Sequence, residues 1–239
     1  MVANVTVGRP MKRIDAPPRL TGQEQFTSDL RIPGLLHARP VGSDYAHARI
    51  LGVNKEPALA IPGVVAVLTY DDLPLNHPKD GPPIKVPMAS DEALHAGHFI
   101  ALVLAETEMA AEDGAAAVEV DYEPLDPVVT LDQGLSHDAP RTRNTEVTMS
   151  AEEAAMHNAD ALADAEANDM LLPHNVSNSV QYSRGDIEQG FAEADEIVEF
   201  SYDSLTVHQG YIEPQVCLVS VEPLGNLKVY TSTQAAFYC

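Results

Sequence analysis

Several residue types and patterns are scarce or missing in this 239-residue chain. It has no tryptophan, and its two cysteines, Cys217 and Cys239, lie too far apart for a Cys-x-x-Cys pair. This spacing does not indicate a zinc site, an iron–sulfur site or a disulfide framework. The N-terminus lacks a basic region followed by a long apolar run, and no other apolar run approaches membrane-spanning length. We therefore expect no membrane insertion and, by default, a cytoplasmic location.

Basic residues are also scarce, with 14 lysines and arginines against 36 aspartates and glutamates, which gives a net charge of −22. This charge opposes binding to nucleic acid or to an anionic membrane surface, so neither is an expected partner. Two interpretations remain open. The acidic residues either form a solubilising surface or form a docking face for a basic partner.

Motifs for common catalytic sites are missing as well. No Gly-x-Gly-x-x-Gly, phosphate-binding loop, Gly-x-Ser-x-Gly or His-Glu-x-x-His motif occurs, so nucleotide-binding, hydrolase and zincin functions have no support. His95 and His98 are three residues apart but lead into a predicted strand without a third ligand, so we expect no metal site there. We expect Glu213 to be a buried carboxylate that accepts backbone amides rather than a catalytic base. The residues alone therefore single out no catalytic residue and no metal ligand.

The first half of the chain shows strand and helix patterns broken by proline and glycine. Adjacent prolines and Thr21-Gly22 predict that Gly8–Phe26 is an extended arm ending in a turn. Short apolar runs predict strands joined by tight turns within Asp29–Ile50 and a buried strand within Ile61–Pro74. A strand at Phe99–Ala105, a helix at about Glu108–Ala117 and a strand at Val118–Leu125 then follow. That spacing is typical of a parallel crossover unit.

An acidic segment separates the two halves. Ser150–Asp169 has a capping-box pattern at Ser150 and Glu153 and many strong helix formers, but few large apolar residues. A helix there would have little to bury. The segment is either an inserted, exposed acidic helix or a mobile linker between domains, and partner docking is a further alternative.

The last part of the chain predicts a capped helix and then strands. Asp186 is positioned to cap a short helix with Gln189, and the alternation of Glu196–Val207 predicts a strand. Two β-rich runs, Gln215–Glu222 and Leu227–Thr233, flank a Pro-Leu-Gly-Asn turn and predict a hairpin. The hairpin leads to Gln234, whose amide can hydrogen-bond an oxo group or a carbonyl without a change of charge. A glutamine at a strand end is, however, more often only solvated.

Eight motifs in order resemble the large subunits of the molybdenum hydroxylases, the family of xanthine dehydrogenase, aldehyde oxidase and aerobic carbon monoxide dehydrogenase. They are the arm residues Arg13, Asp15, Thr21 and Gly22, then Pro33–His37, Ala46–Ile50, Pro62–Thr69, Gly97-His98, Tyr122–Leu125, Tyr211–Pro214 and Tyr230–Gln234. The resemblance covers Gly8–Leu131 and His174–Phe237. It implies an α+β (mixed α/β) fold with an α/β-hammerhead domain and N-terminal arm over 1–130. An acidic insertion or linker over 131–173 and the beginning of a molybdopterin-binding domain over 174–239 would follow.

The resemblance also implies a chemistry. Members of this family hydroxylate aldehydes, purines or N-heterocycles with oxygen from water, or oxidise carbon monoxide, at a molybdenum atom held by a pterin. Gln234 matches the glutamine that hydrogen-bonds an oxo ligand of the metal. The implied cofactors are molybdenum-molybdopterin, including its cytosine dinucleotide form, and iron–sulfur clusters and FAD on partner subunits. The implied partners are an iron–sulfur subunit, an FAD subunit and the polypeptide that carries the rest of the cofactor domain.

The family's glycine-rich cofactor segments and its catalytic glutamate have no match in this sequence. We therefore expect an N-terminal part or a split subunit of a molybdenum hydroxylase that is inactive alone. Residues 181–239 would then be mobile, oligomerised or packed against another chain. The alternative is a non-catalytic acidic assembly or binding module with a hammerhead fold.

Overall fold

The computed structural model describes residues 8, 10–73, 88–142, 173–176, 182 and 184–233. Contacts between Cα atoms divide the chain into two compact units, one formed by 34–195 and the other by 1–33 together with 196–239. The strands are β1 (His37–Gly42), β2 (Ala48–Asn54), β3 (Val64–Thr69), β4 (Glu92–Ala93), β5 (Phe99–Ala105), β6 (Glu119–Pro124), β7 (Cys217–Val221) and β8 (Leu227–Thr231). The α-helices are α1 (Ala16–Thr21), α2 (Glu56–Leu59), α3 (Glu108–Ala117), α4 (Leu131–Gly134) and α5 (Ile187–Glu193), with 3₁₀ turns at Thr27–Asp29 and Tyr70–Asp72.

The first sheet of the 34–195 unit has the strand order β1-β5-β3, and both pairings are antiparallel. Its centre is β5, the apolar run that the sequence predicts as a buried strand. Val67 of β3 lies opposite Val103 of β5, and both are buried together with Ala101. The predicted strands at β3 and β5 are therefore confirmed.

Helix α3 covers this sheet with its smallest residues. Ala110, Ala111 and Gly114 are buried, and the Thr107 side chain caps the helix by accepting the Ala110 N–H at 3.1 Å. A β-carbon added to Gly114 would lie only 2.8 Å from Val103 Cγ1, so glycine allows the close approach of helix and sheet. The bounds of α3 match the predicted helix.

The second sheet has the strand order β4-β2-β6, again antiparallel. Val120 and Tyr122 of β6 are partly buried while Glu119, Asp121 and Glu123 are exposed, as the alternation predicts. Because β5 and β6 lie in different sheets, the predicted parallel crossover is wrong. The spacing of a strand, a helix and a strand indicates the elements but not which sheet accepts the second strand.

The N-terminal arm departs from the predicted extended form. Helix α1 occupies Ala16–Thr21, with Pro17 and Pro18 in its first turn, where the backbone N–H has no helical acceptor to lose. Gly22 ends the helix at φ 72°. The short length agrees with the expectation that no long element forms there.

The chain on either side of the acidic segment is fastened together. Asn175 Nδ2 donates to the Pro140 carbonyl at 2.9 Å, and its Oδ1 accepts the Thr142 N–H at 3.1 Å. His174 Nε2 lies 2.6 Å from the Ala139 carbonyl oxygen. His174 and Asn175 thus lie beside residues 139–142. The predicted helix at 150–169 lies outside the described residues.

The last part of the chain contains fewer elements than the sequence predicts. Helix α5 is capped by Asp186, whose Oδ1 accepts the Gln189 N–H at 3.0 Å, as predicted. Glu196–Val207, in contrast, forms no strand, so that prediction is wrong. A strand needs a neighbouring backbone to bond with, which an alternating sequence cannot supply by itself. Among the described residues, no helix is long and apolar enough to span a membrane.

Candidate functional site

The hairpin of β7 and β8 forms as the sequence predicts, with Leu218 opposite Tyr230 and Val221 opposite Leu227. Its turn is closed by the Gly225 N–H, which donates to the Glu222 carbonyl at 2.9 Å. Pro223 fits the fixed φ of the second turn position, and Gly225 adopts φ 83°, which favours glycine. The turn sequence therefore sets the register in which β8 runs toward the Ser-Thr-Gln segment.

Ser232 ties the end of β8 to the segment Tyr211–Pro214. Its hydroxyl donates to the Pro214 carbonyl at 3.2 Å and accepts the Val216 N–H at 3.2 Å. The Ser232 N–H also donates to the Val216 carbonyl at 3.3 Å. Two of the motifs that carry the family resemblance are thus joined at one serine. This junction fixes the backbone two residues before Gln234.

A second local contact shapes the chain just before Tyr211–Pro214. The Gly210 N–H donates to His208 Nδ1 at 3.2 Å, and His208 Nε2 lies 3.0 Å from the Tyr211 hydroxyl. Because Nδ1 accepts a hydrogen bond, the proton of a neutral His208 is on Nε2 and is donated to Tyr211. The left-handed conformation of Gly210, at φ 71°, permits this tight loop.

The predicted site residues have different outcomes. Gln234 lies outside the described residues, so its role stays a prediction. Glu213 is exposed, which makes the predicted buried carboxylate wrong. A carboxylate is buried only inside a shell of donors, and residues 194–216 form no helix or strand that could provide one.

The donor groups at this end of the hairpin are hydroxyls and, from the sequence, an amide. In the described part of the chain, no group of three or more His, Cys, Asp and Glu side chains could hold a metal ion. His95 and His98 stack with ring centroids 4.8 Å apart, but they belong to no such group. A neutral amide, such as the sequence places at Gln234, fits a metal that is carried by an organic cofactor and held through hydrogen bonds.

One face of the hairpin is apolar and exposed. Its residues are Val219, Val221, Leu227 and Val229, and each side chain is at least half exposed. They form the cross-strand pairs Val219–Val229 and Val221–Leu227. On the opposite face Leu218 is buried. We call the four exposed residues the apolar hairpin face; its pairing pattern is typical of a strand surface that packs against another layer.

Comparison with known families gives two matches in chain order. Residues 21–126 match the family described as aldehyde oxidase and xanthine dehydrogenase, a/b hammerhead domain. Residues 170–239 match the molybdopterin cofactor-binding domain. The second match contains the whole hairpin and the Ser232 junction.

The chain belongs to the molybdenum hydroxylase family. Curated members of this molybdenum hydroxylase family align with nearly the whole chain. The carbon monoxide dehydrogenase large chain of Afipia carboxidovorans is 29% identical over 96% of this chain. The xanthine dehydrogenase molybdenum-binding subunit of Escherichia coli O157:H7 is 26% identical over 93%, and aldehyde oxidase 2 of Mus musculus is 31% identical over 95%. The chain spans 27% of the length of each of these two bacterial molybdenum hydroxylases and 14% of the mouse protein.

The fold agrees with this membership. A crystal structure of a Cu,Mo-CO dehydrogenase in its carbon monoxide reduced state matches 56% of this chain at 36% identity and a TM-score of 0.50. The match covers 17% of that chain. The predicted fold class, a mixed α/β fold with a hammerhead domain, is confirmed. So is the resemblance to the molybdenum hydroxylases.

The sequence did not reveal the role of Ser232. Its partners lie 18 and 16 residues earlier in the chain, and no residue spacing signals a side chain that bonds across a hairpin base. The available signal was that Ser232 lies two residues before Gln234, in a hairpin that begins near Pro214. Treating Tyr211–Pro214 and Tyr230–Gln234 as neighbours in space would have pointed to Ser232.

Proposed function

We propose that this chain supplies the hammerhead domain and the first hairpin of the cofactor domain to a molybdenum hydroxylase. The domains would be 1–130, an insertion or linker over 131–173, and the beginning of the cofactor domain over 174–239. The reaction would be water-derived hydroxylation of an aldehyde, a purine or an N-heterocycle, or oxidation of carbon monoxide. Without the rest of a cofactor domain, the residues 1–239 would be inactive.

The chain's own residues would position the cofactor rather than react. When bound, a molybdenum-pterin cofactor supplies the redox chemistry and the activated oxygen. Gln234 would hydrogen-bond the cofactor through its neutral amide. Ser232 holds the backbone that leads to Gln234 against the Pro214 carbonyl, which limits the positions that this amide can reach. Such preorganisation lowers the entropic cost of holding a ligand.

The observation that carries the proposal is the apolar hairpin face within a segment that matches the molybdopterin cofactor-binding domain. Earlier in the same segment of the chain, five more large apolar side chains are largely exposed: Phe200, Tyr202, Leu205, Val207 and Ile212. A soluble surface rarely leaves so many large apolar side chains uncovered in one stretch. The polypeptide that completes the cofactor domain is the partner that this surface fits, whether it continues this chain or is a separate molecule.

Further partners follow from the family. We propose an iron–sulfur subunit and an FAD subunit that carry electrons away from molybdenum, as in relatives built from several subunits. The cofactor would be molybdopterin, and its cytosine dinucleotide form is part of the proposal. The site of action would be the cytoplasm.

The test is elemental and mass analysis of the chain purified from its native source together with whatever accompanies it. We expect the purified material to contain molybdenum and iron, and to contain a large amount of polypeptide beyond residues 1–239. Aldehydes, purines, N-heterocycles and carbon monoxide are then the substrates to assay. A chain that is metal-free, stable alone and without such companions would contradict the proposal and favour the acidic assembly module.

A further inference from the structure

We call the 34–195 unit the hammerhead unit, because it contains most of the hammerhead match. His47 is the most enclosed titratable side chain described in this unit, and nothing in the proposed cofactor role uses it. It is 7% exposed and precedes β2, next to the fully buried Ala48. Its Nδ1 lies 3.0 Å from the Asp126 carbonyl oxygen, and its Nε2 lies 2.7 Å from Glu92 Oε1. The Glu92 side chain is itself only 14% exposed.

These contacts join all three strands of the second sheet. Glu92 belongs to β4, His47 leads into β2, and Asp126 follows the end of β6. The His47 carbonyl also accepts the Leu125 N–H at 3.0 Å. The chain leaves the sheet at residues 125–126. His47 therefore holds this segment through both its backbone carbonyl and its imidazole ring.

We propose that His47 is a protonation-dependent latch that fastens the end of β6 to β2 and β4 and loosens it when the imidazolium loses a proton. A backbone carbonyl only accepts hydrogen bonds, so Nδ1 must carry a hydrogen to bind Asp126. The short contact with the Glu92 carboxylate needs a second hydrogen, on Nε2. Only the imidazolium supplies both while Glu92 stays ionised.

The charges around His47 favour that state. Burial alone lowers the pKa of His47, but the hydrogen bonds to the Asp126 carbonyl and to Glu92, with the negative charges of both residues, raise it above its usual value. Those are the acidic groups on β4 and after β6 that face the ring. Arg49 on β2 is exposed and pairs with Glu123 of β6 at 3.0 Å.

The direction of the pH dependence follows from the raised pKa. The latch is fully present below the ordinary histidine pKa and is lost as pH rises through the higher pKa of the folded chain. With one proton gone, a single N–H must serve two acceptors, so one contact becomes a repulsion between lone pairs. The remaining hydrogen stays on Nε2, because its bond to the ionised Glu92 is the stronger, so the contact with the Asp126 carbonyl is released and the end of β6 is freed.

The test is a ¹⁵N NMR titration of the full chain with imidazole-labelled histidines, combined with hydrogen exchange of the Leu125 amide. We expect the His47 titration midpoint to lie above the ordinary histidine value, with both ring nitrogens protonated below that midpoint. The Leu125 protection factor, which is normalised for the intrinsic effect of pH, should fall as His47 titrates. In Glu92→Gln, the His47 midpoint should move down by about one to three pH units, the size expected when a neighbouring opposite charge is removed.

His47→Gln and the matched control His137→Gln, at an exposed histidine of the same unit, complete the design. The His47 variant should lose the pH dependence of Leu125 protection, and the control should keep it. A His47 midpoint at or below the ordinary histidine value, or an unchanged midpoint in Glu92→Gln, would overturn the proposal. Because these two measurements need only the wild type and Glu92→Gln, the test survives if His47→Gln does not fold.

Discussion

Ser232 donates its hydroxyl hydrogen to the Pro214 carbonyl at 3.2 Å and so joins the end of β8 to the start of the hairpin. The same oxygen accepts the Val216 N–H. One residue beyond the last β7–β8 pair, the hydroxyl thus takes the Val216 N–H, while the Ser232 N–H still donates to the Val216 carbonyl. The backbone that leads to Gln234 is therefore anchored two residues before it.

Ser232→Ala should loosen the hairpin base. The variant loses one donor and one acceptor at a partly buried position, which costs about 1 kcal/mol of local stability. We expect faster hydrogen exchange at the Val216 amide and, in an assembled enzyme, a lower molybdenum content. Ser204→Ala, at an exposed serine, is the control and should change neither quantity. Unchanged Val216 exchange in Ser232→Ala would mean that the junction is not formed in solution.

The double change Val219→Thr and Val229→Thr tests the apolar hairpin face. Threonine keeps the β-branched shape and the strand preference but makes this exposed pair polar. We expect the isolated double variant to bind less of a hydrophobic dye than the wild type. We also expect less of the large companion polypeptide to co-purify with it. Val65→Thr, on an exposed position of β3, is the control and should leave recovery unchanged. Full recovery with the double variant would remove this face from the proposed interface.

Gly114→Ala should destabilise the hammerhead unit. The new β-carbon would lie 2.8 Å from Val103 Cγ1 and 2.9 Å from Val64 Cγ2, so helix α3 must move away from the sheet. Overpacking of this kind costs about 1–3 kcal/mol in the free energy of unfolding. Urea denaturation followed by circular dichroism measures the loss. Gly190→Ala is the control, because nothing lies within 4 Å of its added β-carbon, and it should be neutral or stabilising.

Asp72 should contribute to stability only above strongly acidic pH. The hydrogen bond from Lys55, and then those from the Thr69 N–H and hydroxyl, lower the pKa of Asp72 from 3.8 to about 2. A lowered pKa means stabilisation that is complete above about pH 4 and is lost as pH falls toward 2. Since the side chain is 39% exposed, solvent screening limits the effect to about 1 kcal/mol or less.

Asp72→Asn should therefore flatten the acid side of the stability profile between pH 4 and 2, as measured by urea midpoints at several pH values. The control is Asp71→Asn, at the adjacent exposed residue of the same turn. Equal slopes for the wild type and Asp72→Asn would show that the Lys55 pair contributes nothing measurable.

Replacing residues 143–172 with a short glycine-serine link should leave the hammerhead unit intact. Thr142 already lies beside Asn175, so the new loop closes a short gap. We expect an unchanged thermal midpoint for the hammerhead unit, because neither an exposed inserted helix nor a linker contributes to its core. Asn175→Ala in the full chain should instead release residues 140–142 from residue 175. Faster hydrogen exchange at the Thr142 amide would show this release. A large loss of hammerhead stability after the replacement would show that 143–172 is part of its core.

The sequence allowed good prediction where the signal is local. An apolar run defined β5, an alanine-rich run defined α3, and Pro223 with Gly225 defined the hairpin turn. Prediction from the sequence failed where an element forms only by pairing with a residue far away in the chain. The alternation of Glu196–Val207 predicts a strand, but in the described residues no backbone pairs with it.

The sequence by itself determined the family, through motifs in a fixed order, and it determined most strand and helix positions, because these depend on residues a few positions apart. Only the tertiary structure decided that β5 and β6 belong to different sheets, that Ser232 meets Pro214 and that His47 lies between Glu92 and Asp126. The physical reason is that these contacts join residues 18 to 79 positions apart. Such contacts are selected by packing and hydrogen-bond satisfaction over the whole unit, and no local pattern encodes them.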